Sequence, residues 1–76
     1  MDVITATVDA RGQSCPGPLV ALHKALLDAR PGDLLELLAT DPGSKSDVPS
    51  WSKLSGHELL DASETSGVYR YVIRKV

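Results

Sequence analysis

Pro16-Gly17-Pro18-Leu19-Val20-Ala21-Leu22-His23-Lys24-Ala25-Leu26-Leu27-Asp28-Ala29-Arg30-Pro31-Gly32-Asp33-Leu34-Leu35-Glu36-Leu37-Leu38-Ala39-Thr40 contains two hydrophobic patterns separated by a breaker. From Pro16 to about Arg30, Leu19, Leu22, Leu26 and Ala29 recur at intervals of three and four, and Val20, Ala25 and Leu27 widen the stripe. That spacing predicts an amphipathic helix with one face for packing on a sheet. Arg30 falls in its last turn, where a cation suits the dipole, and Pro31-Gly32 ends it. Asp33 to Thr40 then carries Leu34, Leu35, Leu37, Leu38 and Ala39 in near-continuous succession. A short apolar run between breakers predicts a centrally buried strand.

Outward from this pair, Ile4, Ala6 and Val8 alternate with Val3, Thr5 and Thr7, predicting a first strand over Val3 to Val8 and a loop over Asp9 to Ser14. Beyond Asp41-Pro42, Val48, Trp51 and Leu54 have helical spacing, and Gly56 is placed to stop a short second helix after Ser55. Its start is obscured by Gly43, Ser44, Ser46 and Pro49. Glu58 to Glu64 and Val68 to Lys75 read as strands of a hairpin turning at Thr65-Ser66-Gly67. The order is βαβαββ. The expected fold is α+β, a two-layer sandwich with a four-stranded mixed sheet and two helices on one face, joined by a right-handed crossover between the first two strands.

A chain of 76 residues fits one domain, 1–76, with one modest core. One cysteine excludes an intrachain disulfide and the two-thiol chemistry of a Cys-x-x-Cys oxidoreductase. Metal-ligand spacing, a signal-peptide pattern and a membrane-length apolar run are absent from the sequence, so the expected location is cytoplasmic, with no metal and no membrane. A net charge of −2 argues against direct nucleic-acid binding through phosphate contacts.

Cys15, at the expected entrance of the first helix, is the candidate catalytic residue. Helix first-turn amides and the positive end of the dipole favour a thiolate, the reactive form of cysteine. Pro16 and Pro18 stiffen the turn but donate no hydrogen bond, so the amides of Gly17, Leu19 and Val20 are left to stabilise the sulfur. Gly17 has no side chain to block access. Arg11 and Lys45, read as lying in the loops before the two helices, are candidates for tuning the thiolate or meeting a partner, against simple solvation. His23 lies eight positions from Cys15, about 12 Å along a helix at ~1.5 Å per residue, too far to act as its base. His57 follows the expected cap at Gly56, with a surface or capping role set against a site role. Arg70 and Arg74 share the uncovered sheet face, as solvated charge or a docking patch. Trp51 reads as core packing.

Cys15-Pro16-Gly17-Pro18 after a strand and a Gly-containing loop resembles the Cys-Pro-x-Pro signature of the TusA/SirA sulfur-carrier family. The resemblance continues through Pro31-Gly32-Asp33, Asp41-Pro42, Asp47-Val48-Pro49, Gly56-His57-Glu58-Leu59 and Tyr69-Arg70-Tyr71-Val72-Ile73-Arg74-Lys75. It implies the same βαβαββ sandwich. It also implies that Cys15 takes sulfane sulfur as a persulfide from a cysteine desulfurase or rhodanese and passes it to a cysteine of an acceptor protein. Family members serve tRNA thiolation, molybdenum-cofactor formation or sulfur oxidation. No cofactor is implied for the chain itself, and pyridoxal phosphate would belong to the donor. Gly17 and Ser14 depart from the larger or basic residues common at these family positions, which bears on partner choice. The competing reading is a non-catalytic, redox-sensitive interaction or regulatory module.

Overall fold

A computed structural model describes residues 3–14 and 17–76. The elements are β1 (Ala6–Ala10), α1 (Gly17–Asp28), β2 (Leu34–Ala39), α2 (Ser44–Ser55), β3 (Glu58–Thr65) and β4 (Val68–Arg74), the expected βαβαββ order. The sheet runs β1-β2-β4-β3, with β1 parallel to β2 and the other neighbours antiparallel.

Alternation along the strands divides the sheet into two faces. Ala10, Leu35, Leu37, Tyr71 and Ile73 point to the helices and form a buried cluster with Leu22 and Leu26 of α1 and Val48 of α2. Each fully buried leucine contributes about 1.5–3 kcal/mol relative to exposure. Both helices therefore lie on one face of an α+β two-layer fold. The stripe on α1 is narrower than its apolar residues suggest: Leu22 and Leu26 are buried, whereas Val20 and Leu27 are 46% and 67% exposed. Leu54 is 89% exposed, so the α2 stripe passes through Val48 and Ser52 instead. Trp51 packs at the edge of the core, as expected.

The other sheet face carries a polar ladder. Thr7 Oγ1 donates to Glu36 Oε1 at 3.0 Å, Arg70 bonds Glu36 on its other oxygen, and Arg70 Nη1 reaches Asp61 at 3.5 Å. These side chains link all four strands. Arg74 pairs with Glu58 at 2.9 Å across the directly opposed β3–β4 position. Arg70 and Arg74 thus share the uncovered face as read, but in ion pairs and not as free cations.

Several boundaries move. β1 begins and ends later than expected because its pairing with Leu35–Ala39 takes in Asp9 and Ala10. α1 stops at Asp28, leaving Arg30 in the following turn, where its N–H donates to Asp33 Oδ2 at 2.9 Å. The cation at the α1 C-terminus is Lys75, whose ammonium donates to the Leu26 carbonyl. α2 starts at Ser44 and runs through Pro49, which has no N–H to donate to the Lys45 carbonyl one turn back. It ends as expected at Gly56, whose φ of 83° lets its N–H return to the Ser52 carbonyl at 3.1 Å. Ser66 and Gly67, with φ of 50° and 81°, make the two-residue turn between paired Thr65 and Val68.

Candidate functional site

Because β1 and β2 are parallel and each leads into a helix, both helix N-termini lie at the same end of the sheet. The antiparallel β4 brings Tyr69 beside Ala39 there, and the β3–β4 turn follows. The segment between β1 and α1 opens at this pole. Cys15 and Pro16 themselves lie outside the described residues; their flanks do not. Gln13 N–H donates to the Ala10 carbonyl at 3.2 Å and Gly12 N–H to Thr40 Oγ1 at 2.9 Å, tying the segment to the end of β2.

Gly17 N–H donates to the Ser14 carbonyl at 2.8 Å. That amide is engaged, which corrects its expected role as a donor to the thiolate. Pro18 is fully buried, so it anchors the helix entrance in the core as well as fixing its backbone. Gly17 does not simply leave open space: a Cβ there would lie 2.9 Å from Gln13 Oε1 and 3.1 Å from Gln13 Cβ. The exposed Gln13 side chain takes the room that a larger residue at 17 would need.

Of the two candidate cations, Arg11 is held by Asp9. Its Nε and Nη2 each donate at 2.9 Å to the two carboxylate oxygens, and its backbone N–H donates to Oδ1 at 3.1 Å. The Arg11 side-chain and backbone bonds lower the Asp9 pKa from 3.8 to about 2. The same pairing raises that of Arg11. Both side chains are 53% exposed, so water screens the pair and its effect is to set loop geometry. Lys45 belongs to the first turn of α2, not to the preceding loop. Its Nζ sits 5.9 Å from the centre of the Tyr69 ring. Arg11 and Lys45 share the pole, but Lys45 stands over the hairpin.

His57 lies at the opposite end, after the last turn of α2. Its Nδ1 accepts the Val76 N–H at 3.2 Å, its carbonyl accepts Ser52 Oγ at 2.8 Å, and its ring centre is 5.9 Å from that of Trp51. Its ring thus ties the end of the chain to the turn after α2, at the pole away from the Cys15 segment. A buried hydroxyl pair that sequence reasoning missed joins α2 to the sheet: Ser44 Oγ and Tyr71 Oη are 2.8 Å apart. Burial raises the Tyr71 pKa, and the bond to Ser44 opposes that rise. Only the 27-residue separation of the partners hides this pair in the sequence. Among the described residues no group of three metal-ligating side chains converges, and no helix is long and apolar enough to cross a membrane.

A family model described as "Sulfurtransferase TusA" matches residues 6–75. The chain belongs to the TusA family. It is 43% identical over 72 residues to "Sulfur carrier protein TusA" of Pseudomonas aeruginosa, covering 95% of this chain and 91% of that protein. A putative sulfur carrier protein of Halobacterium salinarum is 47% identical over 73 residues, covering 95% and 90% of the two chains. A crystal structure of a SirA-like protein from Desulfitobacterium hafniense superposes with a TM-score of 0.81 at 26% identity, covering 92% of this chain and 96% of that one. Membership in the TusA family makes sulfur transfer, at that coarse level, the business of this chain, and implies donor and acceptor proteins.

Proposed function

We propose that Cys15 is the sulfur-carrying atom of this TusA-family protein and that the sulfur travels as a persulfide. The observation that carries the reading is that Cys15 is the only thiol of a chain whose residues 6–75 match a sulfurtransferase family. The exposed flanking residues Gln13 and Ser14 support access to it. The Cys15 thiolate attacks the outer sulfur of a donor persulfide; a new S–S bond forms, the donor S–S bond breaks, and the donor leaves as thiolate. An acceptor thiolate then attacks the terminal sulfur of the Cys15 persulfide, and Cys15 leaves as thiolate. The sulfur atom moves without net oxidation, so the relay needs no cofactor and no second cysteine in this chain.

The proposed donor is a cysteine desulfurase or rhodanese, and the acceptor is a protein cysteine in tRNA thiolation, molybdenum-cofactor formation or sulfur oxidation. A reducing cytoplasm suits this chemistry because it keeps a lone thiol free. Pro16, Gly17 and Pro18 shape the approach; Arg11, balanced by Asp9, acts on loop geometry more than on thiolate charge. Intact-protein mass spectrometry after incubation with a desulfurase and cysteine, or a rhodanese and thiosulfate, tests the assignment. A reducible gain of one sulfur on wild type and none on Cys15→Ser is expected. Equal gain on both variants, or none with either donor, refutes it.

A further inference from the structure

A cavity of about 190 Å³ opens on the helix side of the β3–β4 hairpin, lined by Lys45, Ala62, Ser63, Glu64, Tyr69 and Tyr71. Small-molecule pockets commonly measure ~300–1,000 Å³, so this one is sized for a single side chain. Its chemistry follows from register. Ala62 opposes Tyr71 and Glu64 opposes Tyr69, placing a carboxylate beside two phenol rings on one sheet face. Aromatic faces carry negative quadrupole, and a carboxylate adds to the attraction for a cation.

Glu64 makes no ion pair among the described residues. Lys45 makes none either, yet its ammonium rests 5.9 Å from the Tyr69 ring centre. The chain's own cation already occupies the aromatic wall. We propose that this cavity receives an arginine side chain from a basic segment of a protein partner, which displaces Lys45 from Tyr69. A planar guanidinium can stack on a tyrosine ring and direct paired N–H groups at Glu64; an ammonium does only one of these well. The net charge of −2 favours a basic partner in the same sense.

That this partner is a protein exchanging sulfur with Cys15 rests on the reading above; the cation preference does not. The cavity lies at the pole where the Cys15 segment opens, two to three strands away, or about 10–14 Å at ~4.8 Å per strand. A partner burying a typical ~800 Å² on one side spans roughly 30 Å, so a protein seated over the β1–α1 segment also covers the cavity.

The test is a nitrogen–proton correlation NMR titration of the full chain with Ac-Gly-Arg-Gly-NH2, its neutral citrulline isostere and Ac-Gly-Glu-Gly-NH2. Saturable shifts are expected at the amides of Lys45, Ala62, Glu64 and Tyr69, with citrulline weaker by about fivefold or more. Glu64→Gln should weaken arginine binding by about threefold, whereas Lys45→Ala should strengthen it by a similar factor, because the competing cation is gone. Citrulline or the glutamate peptide binding as well as arginine, or shifts confined to other residues, overturns the proposal. Arginine binding in a chain whose Cys15 never gains sulfur leaves the cavity standing and removes the relay. Sulfur uptake without arginine binding does the reverse.

Discussion

Tyr71→Phe deletes one oxygen and leaves Ser44 Oγ, in a residue only 3% exposed, without its hydrogen-bond partner. A buried polar group stranded in this way costs about 1–3 kcal/mol. Ser44→Ala strands the Tyr71 phenol instead, but that ring also borders the cavity, where water can approach, so its cost belongs near ~1 kcal/mol. Removing both oxygens leaves no orphan, while the aromatic ring and the helix backbone keep their packing. The double variant should therefore be more stable than the sum of the two losses predicts, by about 1–2 kcal/mol. Urea unfolding followed by fluorescence of Trp51, the sole tryptophan, measures all four proteins. Each ~1 kcal/mol corresponds to a shift of about 4–8 °C in Tm for a chain of this size. Losses that add to within ~0.5 kcal/mol would show that the two hydroxyls are hydrated independently, and the account of a coupled buried pair would fail.

Other parts of the structure make separate claims. The Asp9 carboxyl is lowered to about 2 by the Arg11 side chain and, next, by the Arg11 backbone N–H, so Arg11→Ala should raise it only part of the way towards 3.8 in a carbon-detected NMR titration. Glu36 has its pKa lowered by Arg70 and then Thr7, so its stabilising share is present above the unfolded value of 4.5 and is lost as pH falls through the lower folded value. Glu36→Gln should accordingly flatten the acid limb of a stability profile below pH 4.5, and an unchanged limb would refute the ladder's role. Leu37→Ala empties a fully buried central position and should cost about 2–5 kcal/mol in the same urea assay.

The helix-breaker-strand run of residues 17–39 was legible because Leu22 and Leu26 repeat at helical spacing and Leu34, Leu35, Leu37, Leu38 and Ala39 form a short, nearly continuous apolar run between breakers. Gly56 and Gly67 were legible because local backbone geometry demands them. What escaped was set by contacts distant in sequence. Val20 and Leu27 are apolar yet exposed, since α1 presents only a narrow face to the sheet. Lys75, not Arg30, meets the end of α1 because β4 delivers it there. β1 is displaced because its limits depend on Leu35–Ala39 and not on its own alternation. At the candidate site the motif was readable residue by residue, but the engagement of Gly17 with Ser14 and the Asp9 clasp on Arg11 required coordinates.

The parallel placement of β1 has a kinetic implication. This edge strand pairs only with β2, joins Ala6 to Leu35 far along the chain, and buries only Ala10 of its five residues. The hairpin, by contrast, closes between near neighbours Thr65 and Val68. Loop-closure entropy therefore favours the hairpin early and β1 last. Amide exchange should be faster along Ala6–Asp9 than at the buried central positions Leu37 and Ile73. The strand leading to the cysteine is thus the part of the sheet secured last, onto a β2-β4-β3 sheet held together by antiparallel pairing.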